Sequence, residues 1–318
     1  MHNSVRIALI EEEWSERIDS FPGCTFFDSG AWLDTFAYKT DGVHQIGFFD
    51  GNACVASICL GINGQGSTFE ARTPFSASFG GLLYAADITA LTLDAVVRSL
   101  LEHLRGLAGG KPMVLDYVQR PRYVSGHPRF DLEEFSLLKN GFALHDAQLE
   151  YYLDLDDLRY SKTLQNELRK KQGMIFTASN MEEFLAFRER ITLQQGKTKT
   201  IPDEEMRVMG DRFGQSIKLY KATSEGRTAA MLLSDELNQE VAMGRNWFQD
   251  AELSRLGATA FIVSEWVNEL RRKGFAHAGF GATASLGGEL RPGFLFFKER
   301  FHPKASLRKH FMYRAQGE

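Results

Sequence analysis

The sequence is poor in cysteine and has no long apolar run. Only three cysteines occur among 318 residues, Cys24, Cys54 and Cys59, and they lack the paired spacing of a zinc site. No apolar stretch approaches the ~20 residues that a membrane-spanning helix requires. The N-terminal segment turns acidic after a few apolar residues, unlike a signal peptide. These absences predict a cytoplasmic protein in a reducing compartment, without disulfides and without a membrane span.

The signatures of several catalytic classes are missing as well. The sequence contains no P-loop, no dinucleotide-binding glycine motif, no Ser-His-Asp arrangement and no cluster of metal ligands. Its formal net charge of −4 gives no support for general nucleic-acid binding, which leaves only a local basic patch open. We therefore expect no metal site and no tightly bound cofactor.

What is present is an ordinary globular composition with an excess of phenylalanine. Hydrophobic residues make up 43% of the chain, and 25 residues are Phe. The length predicts two domains or one large one. The composition predicts cores that are rich in aromatic side chains.

The first half of the chain carries a hairpin, a long helix and a strand. The turn signal Asp50-Gly51-Asn52 separates two alternating stretches, 44–50 and 53–61. Apolar residues at helical spacing predict a helix over 91–107, and the composition of 113–118 predicts a strand.

The same order returns after Asp157. A basic amphipathic helix, RYSKTLQNELRKKQG, opens the second half. It is followed by three strands, a helix and a strand, over 216–223, 227–237, 240–248, 257–273 and 275–281. We therefore predict an α+β fold of two duplicated domains, 1–156 and 157–318, each with a mixed, mostly antiparallel sheet flanked by helices.

One stretch, 275–301, has the sequence FAHAGFGATASLGGELRPGFLFFKERF. Its alternating small and aromatic residues predict a buried strand. A break at Gly287-Gly288 and a short aromatic run follow, and the run ends in Lys298. Taken alone, Lys298 is most simply a solvated helix residue; the alternative is a cation placed for chemistry.

Several short stretches along the chain share their order with one family. They are FFDSGAWLDTF, SASFGGLLY, LRYSKTLQNELRKKQG, GATAFIVSEWVNELRRKGFAHAGFG and FLFFKERF. In this order the chain resembles the double-GNAT proteins that include the Fem-type (FemABX) peptidoglycan-bridge aminoacyltransferases and their acetyltransferase relatives. The resemblance implies two GNAT-like domains, of which the second holds the acyl donor.

The resemblance also implies a reaction. An acyl or aminoacyl group would pass from a thioester or ester carrier, acyl-CoA (such as acetyl-CoA) or aminoacyl-tRNA, to an amine on a small molecule or cell-envelope precursor. Phe297, Lys298 and Phe301 occupy the family's Phe-Lys-x-x-Phe motif, whose lysine lies beside the donor or the developing negative charge. A cation placed there would stabilise the tetrahedral oxyanion of aminolysis.

The chain departs from the GNAT pattern at the predicted helix start. A conventional GNAT binds the pyrophosphate of acetyl-CoA with Gln/Arg-x-x-Gly-x-Gly/Ala, whereas 254–259 reads Ser-Arg-Leu-Gly-Ala-Thr. Backbone N–H groups at this helix start can still hold a phosphate. The donor-binding candidates are therefore Arg255, Gly257, Ala258 and Thr259, but the choice between acyl-CoA, an acyl-carrier protein and aminoacyl-tRNA stays open.

Other candidate residues follow from their positions. Arg245 and Trp247 end a strand that lines the acyl cleft in this fold, so they are candidate substrate contacts. Lys197 lies in a polar loop that is either mobile or a lid facing an anionic group. His277, on the buried strand, is either a core residue or a general base for the attacking amine.

Two further patterns are less specific. The basic helix after Asp157 and the basic tail over 298–314 are either solvated faces or a track for tRNA or a carrier protein. Asp116 and Tyr117 end the first-domain strand that corresponds to the second-domain strand at Phe280 and Gly281. They are candidates for a groove between the domains that holds the acceptor.

Three functions remain in competition. The first is a cytoplasmic N-acyltransferase. The second is an aminoacyl-tRNA-dependent Fem-type transferase acting on a cell-wall precursor, although the sequence has no long charged coiled-coil insertion of the kind that some Fem enzymes use for tRNA. The third is a catalytically silent GNAT-like module, which a filled cleft beside Gly257 would favour. The oligomeric state is left open.

Overall fold

The computed structural model divides into two compact units. Unit 1 comprises Met1–Leu149 and Ser306–Glu318, and unit 2 comprises Glu150–Thr283 and Glu289–Ala305. The structure describes residues 5–9, 15–170, 173–196, 198–199, 201–283 and 288–317.

Unit 1 contains the first strands and helices of the chain. The strands are β1 (Arg6–Leu9), β2 (Gly42–Asp50), β3 (Ala53–Asn63), β4 (Phe69–Thr73), β5 (Leu83–Tyr84) and β6 (Met113–Val118). The helices are α1 (Ser15–Asp19), α2 (Gly30–Phe36), α3 (Ala90–Ala108), α4 (Arg122–Ser125) and α5 (Asp131–Lys139). Strand β7 (Ala143–Asp154) starts in unit 1 and runs into unit 2.

The predicted hairpin and helix of unit 1 are confirmed. Strands β2 and β3 pair up to Asp50 and Ala53, which leaves Gly51 and Asn52 as a two-residue turn, with Gly51 at φ +58°. Helix α3 buries its apolar stripe in a core shared with the sheet. In the stretch SASFGGLLY only Leu83 and Tyr84 form a strand, β5.

Unit 2 repeats this order. Its helices are α6 (Lys162–Arg169), α7 (Met181–Gln194), α8 (Asp203–Phe213), α9 (Ala258–Arg272) and α10 (Pro292–Glu299). Its strands are β8 (Ile175–Ala178), β9 (Ile217–Ser224), β10 (Arg227–Glu236), β11 (Val241–Gln249) and β12 (His277–Ala282). The last strand of the chain is β13 (Lys304–Ala315), most of which lies in unit 1.

The duplication is visible in the strand pairing. In unit 1 an antiparallel meander, β2-β3-β4, is followed by α3 and by β6, which pairs parallel to β4. In unit 2 the meander β9-β10-β11 is followed by α9 and by β12, which pairs parallel to β11. A parallel pair needs a crossover connection, which each long helix supplies. The predicted α+β fold with mostly antiparallel sheets is confirmed.

The two parallel pairs differ in one respect. Strands β4 and β6 stay paired through the whole of β4, from Phe69 to Thr73. In unit 2, pairing between β11 and β12 ends at Met243 and Gly279, although β11 continues to Gln249 and β12 to Ala282. Unit 2 therefore has a gap between two neighbouring strands at the carboxyl end of its parallel pair.

The C-terminal residues depart from the sequence-based expectation. The stretch over 298–314, predicted as a solvated basic face or track, forms the end of α10 and the strand β13. Strand β13 pairs antiparallel with β6 of unit 1. Its cations are held by neighbours: the Arg308 Nη1 donates to the Ser78 carbonyl at 2.9 Å, and Lys309 pairs with Glu134. Unit 1 therefore includes the end of the chain.

No described helix combines the length and apolar composition needed to cross the hydrocarbon core of a membrane.

The role of β13 in unit 1 gives a stability prediction. Phe311 is fully buried in the core of unit 1, whereas Leu307, on the same strand, is 47% exposed. Phe311→Ala should lower the free energy of unfolding by about 3–5 kcal/mol, because it leaves a cavity in that core. Leu307→Ala is the matched control and should change it by less than about 1 kcal/mol. Urea denaturation measures both, and equal losses would contradict the placement of β13.

Candidate active site

Unit 2 contains a cavity of about 570 Å³ beside the second half of β11, where that strand no longer pairs with β12. Its walls come from the second half of β11, the start of α9, helix α10 and parts of α6, α7 and the loop before α8. A cavity of this size accommodates a small ligand or one end of a larger one.

Aromatic side chains form one wall. Trp247 of β11 contacts Phe294 and Phe297 of α10 edge-on, with ring centroids 6.1 and 5.9 Å away. All three residues line the cavity. Trp247 also packs against Phe280 of β12, at 5.6 Å. The aromatic contacts therefore join β11, β12 and α10 around the gap.

The opposite wall is polar, and its cations already have partners. The Arg188 Nη1 donates to Asp203 at 3.2 Å, and Arg300 forms an ion pair with Glu167. Lys199 pairs with Glu189 and, at 2.5 Å, with Asp203. The hydrogen bonds that the Lys199 ammonium donates to Asp203 and Glu189 raise its pKa above its usual value.

The start of α9 forms a third part of the wall. Gly257 precedes the helix with φ +61°, a left-handed conformation that glycine adopts without strain. The Gln249 Oε1 accepts hydrogen bonds from the Thr259 backbone N–H, at 3.3 Å, and from the Thr259 hydroxyl. The first turn of α9 is therefore capped by a side chain from the end of β11.

Two buried polar atoms of cavity residues have no hydrogen-bond partner among the described residues. They are the Asn246 Oδ1 and the Arg300 Nε. Buried polar atoms in folded proteins are nearly always paired with protein or water. The cavity wall therefore contains one hydrogen-bond acceptor and one hydrogen-bond donor that have no partner among the described residues.

Lys298 does not line the cavity. Its side chain is fully buried, and its Nζ donates to the carbonyl oxygens of Gly281 and Ala282 at 2.8 and 3.0 Å. It also lies 4.6 Å from the ring centroid of Phe294. Since Gly281 and Ala282 end β12, the ammonium attaches α10 to that strand beyond the point where pairing with β11 stops.

The Phe-Lys-x-x-Phe motif therefore has three different environments. Phe297 faces the cavity, Lys298 binds the end of β12, and Phe301 is fully buried with its ring 5.4 Å from that of Phe280. Phe297 and Phe301 are four residues apart, so their rings meet on one side with centroids 5.5 Å apart, whereas Lys298 points to the end of β12. The motif docks α10 onto β12 and presents one aromatic ring to the cavity.

The predicted donor-binding residues are only partly brought together. Gly257 and Thr259 line the cavity. Ala258 is fully buried, because the first residue of α9 turns its methyl group into the core. Arg255 is exposed on a turn of 3-10 helix and does not line the cavity.

Arg245, a predicted substrate contact, has an internal partner, whereas Trp247 lines the cavity. The Arg245 Nε donates to the Oδ2 of Asp235, which is fully buried, at 2.6 Å. Burial raises the pKa of the Asp235 carboxyl, and the Arg245 guanidinium opposes that rise. The Arg245 side chain is 12% exposed, so its charge compensates the buried Asp235 carboxylate in unit 2.

His277, the predicted general base, lies at the other end of β12. Its ring packs edge-on against Tyr152 with a centroid distance of 5.4 Å, and it does not line the cavity. Four residues of extended strand place it ~13 Å from Gly281. The structure does not bring His277 to the gap.

Lys197, the last predicted contact, lies outside the described residues. Its neighbours Thr198 and Lys199 line the cavity. Lys199, the described lysine of this loop, is bound to carboxylates.

Sequence reasoning missed several residues of this wall. Asn246 and Gln249 flank the predicted Trp247, and their polar side chains at the end of an apolar strand are a signal that could have identified them. Arg188 and Arg300 carried no such signal, because their partners are distant in sequence.

Unit 1 has a cavity of its own, of about 800 Å³. Asp116 lines it, forms an ion pair with Arg72 at 3.4 Å, and is hydrogen-bonded to the Nε2 of His310. Tyr117 instead points into the core, where its hydroxyl donates to Glu133. Alternation along β6 sends the two neighbouring side chains to opposite faces.

No group of three or more metal-ligating side chains occurs among the residues that the structure describes.

The Arg245–Asp235 pair gives a second stability prediction. Arg245→Met should lower the free energy of unfolding by about 3–5 kcal/mol, because it leaves a buried carboxylate without its counter-charge. The double variant Asp235→Asn, Arg245→Met should recover most of that loss. Arg255→Met, which removes an exposed cation, should change stability by less than about 0.5 kcal/mol. Chemical denaturation measures all three, and a loss below about 1 kcal/mol for Arg245→Met would rule out this structural role.

Comparisons with known proteins agree on the fold. No protein-family model and no curated protein matches the sequence. The crystal structure of FemX superposes with a TM-score of 0.69 at 11% identity, covering 98% of this chain and 97% of that chain. A tandem GNAT protein from the clavulanic acid biosynthesis pathway gives a TM-score of 0.56 at 12% identity, covering 99% and 100%.

A third similar structure is a C-terminal domain assigned to a lysylphosphatidylglycerol synthetase of Agrobacterium fabrum. It has a TM-score of 0.57 at 14% identity, covering 94% of this chain and 90% of that one. At these identities the likeness is one of fold. The resemblance predicted from the motifs is thereby confirmed at that level, and the chain has the tandem GNAT-like fold that FemX has.

Proposed function

We propose that the protein is an N-acyltransferase whose acyl donor binds in the cavity of unit 2. The observation that carries the proposal is the early end of pairing between β11 and β12, beside an open cavity lined by aromatic residues. Gaps of this kind expose main-chain groups of a strand to an extended ligand. The likeness in fold to a tandem GNAT protein and to FemX supports the same class of reaction.

The donor would lie along the unpaired edge of β11. From Gly244 onward the described part of this edge has no pairing with β12. An extended arm containing amide groups can form strand-like hydrogen bonds there. Trp247, Phe294 and Phe297 would cover the arm and exclude water from its reactive end. Pantetheine thioesters and aminoacyl esters both satisfy this description.

The chemistry needs no protein nucleophile. The neutral amine of the acceptor attacks the carbonyl carbon of the donor, a C–N bond forms, and the C–S or C–O bond to the carrier breaks. The carrier leaves as a thiol or alcohol, and the proton lost by the amine balances the leaving group. Main-chain N–H groups at the strand edge are suitable donors to the tetrahedral oxyanion, and orientation of the two reactants supplies much of the acceleration.

In this proposal Lys298 is a positioning residue. Its ammonium binds the last carbonyl groups of β12 and thereby holds α10, with Phe297, against the gap. A direct role at the oxyanion would require the ammonium to leave these two acceptors.

The acceptor is an amine. A small molecule and a cell-envelope precursor are both compatible with the cavity, and the site of reaction is proposed to be the cytoplasm. A carrier protein or tRNA would be a partner only as the carrier of the donor.

A second candidate function is aminoacyl transfer from tRNA. The observation that favours it is the volume of the cavity, about 570 Å³, which exceeds what an acetyl group alone requires. A silent binding module is the least supported alternative, because the cavity beside Gly257 is open.

Phe297 gives a direct test of the donor site. Phe297→Ala should lower kcat/KM for the preferred donor about 10- to 100-fold, since burial of a Phe side chain against a ligand contributes about 1.5–3 kcal/mol. Phe296→Ala, on the same helix but 68% exposed, is the control and should have little effect. The donors to compare are acetyl-CoA, longer acyl-CoAs and aminoacyl-tRNA, in transfer and thermal-shift assays. Equal effects of both variants would argue against the site, and no transfer from any donor would argue against the function.

Lys298 gives a test of mechanism. Lys298→Met keeps the aliphatic stem and removes the ammonium, which leaves two buried carbonyls without their donor. We expect the free energy of unfolding to fall by about 1–3 kcal/mol, and KM for the donor to rise at least as much as kcat falls. Denaturation and steady-state kinetics measure the two effects. Unchanged stability with a loss in kcat alone would show instead that the ammonium acts on the transition state.

A further inference from the structure

The first turn of α9 is held by a side chain that belongs to another element. Gln249 is the last residue of β11, and its Oε1 accepts from both the backbone N–H and the hydroxyl of Thr259. Gly257, at the N-cap position, has no side chain with which to cap the helix. The cap therefore depends on Gln249, and it exists only because β11 ends beside the helix start.

This cap has a consequence for anion binding. The first N–H groups of a helix have no partner within the helix, and they attract anionic oxygens, especially those of phosphates. Here a neutral amide oxygen occupies one of these donors, and it also takes the only side-chain hydroxyl of the first turn. A phosphate that binds the Thr259 N–H and hydroxyl would have to break both hydrogen bonds.

The turn before the helix contributes little attraction for an anion inside the cavity. It carries Asp250 and Glu252, whose carboxylates pair with Arg190, at 2.6 Å, and with Arg227, at 2.8 Å. These two arginines are already paired, and the remaining cation of the turn, Arg255, is exposed and does not line the cavity. The cap therefore disfavours an anionic group, and the turn does not offset this, at a point where Gln249, Ser254 and Thr259 border the cavity.

We propose that Gln249 determines donor specificity by excluding a phosphate group from the start of α9. The inference rests on the proposed function. The donor would be a thioester recognised through its acyl group and pantetheine arm, and its phosphates would contribute little to binding. Gln249 thus distinguishes this site from a site that binds the diphosphate of a nucleotide carrier.

The test compares two donors that differ only beyond the pantetheine arm. Dissociation constants of acetyl-CoA and S-acetyl-pantetheine are measured by calorimetry for the wild-type protein and for Gln249→Ala. We expect the wild-type protein to bind the two donors within about threefold of each other. Gln249→Ala frees the Thr259 N–H, and it should raise the affinity for acetyl-CoA about tenfold, which corresponds to about 1.4 kcal/mol, without raising that for S-acetyl-pantetheine.

Two further variants sharpen the comparison. Gln195→Ala removes the same amide from another part of the cavity wall, away from α9, and should leave the ratio of the two affinities unchanged. Gln249→Glu keeps an acceptor for Thr259 but adds a negative charge. Gln249→Glu should weaken the binding of acetyl-CoA and leave the affinity for S-acetyl-pantetheine unchanged. It replaces Gln249→Ala in the comparison if circular dichroism shows that Gln249→Ala is poorly folded.

The outcomes separate this inference from the proposed function. A wild-type preference for acetyl-CoA of more than tenfold, or an affinity ratio that Gln249→Ala and Gln249→Glu leave unchanged, would overturn the role of Gln249. Binding of neither donor to any variant would overturn it as well. Acyl transfer itself is measured in the separate donor assays with Phe297→Ala. Those assays test the proposed function independently of the affinity ratios of acetyl-CoA and S-acetyl-pantetheine.

Discussion

The hydrogen bonds from Lys298 to the end of β12 are the interaction on which the site depends. Strands β11 and β12 stop pairing after Met243 and Gly279, and the carbonyls of Gly281 and Ala282 then need other partners. A buried ammonium supplies them and fixes α10 over the gap. The same helix contributes Phe297 to the cavity. One buried cation thus attaches α10 to the end of β12, and the aromatic rings of α10 contact Trp247 of β11.

The contrast between the two units shows why the gap is informative. Unit 1 has the same meander, helix and parallel strand, but its parallel pair remains joined through the whole of β4. The Tyr117 side chain of unit 1 lies in the core, where its hydroxyl donates a hydrogen bond to Glu133. The duplication therefore supplies the same scaffold twice, and in the described residues of unit 2 the parallel strands separate before either strand ends. Charges in unit 2 serve mainly to hold this arrangement, as Arg245 does for the buried Asp235.

Much of the fold could be predicted because its signals are local. The turn at Gly51 and Asn52, the apolar stripe of α3 and the glycine before α9 each depend on residues close in sequence. The C-terminal strand β13 could not, since Arg308 and Lys309 look like solvated cations. Their partners, Gln148 and Glu134, lie in parts of the chain that no spacing rule connects with them.

The sequence by itself determined the repeated order of elements, the likeness to the double-GNAT fold, and the placement of Trp247, Gly257, Thr259 and Phe297 at one site. Periodicity and turn chemistry suffice for the order of elements, because they act over a few residues, whereas the candidate site residues follow from the resemblance to the double-GNAT family. Only the tertiary structure decided which polar group meets which. It placed Lys298 on backbone carbonyls, Arg245 on Asp235, and Gln249 over the start of α9. These pairings depend on where the strands end in three dimensions, and the pattern of residues along the chain does not indicate those positions.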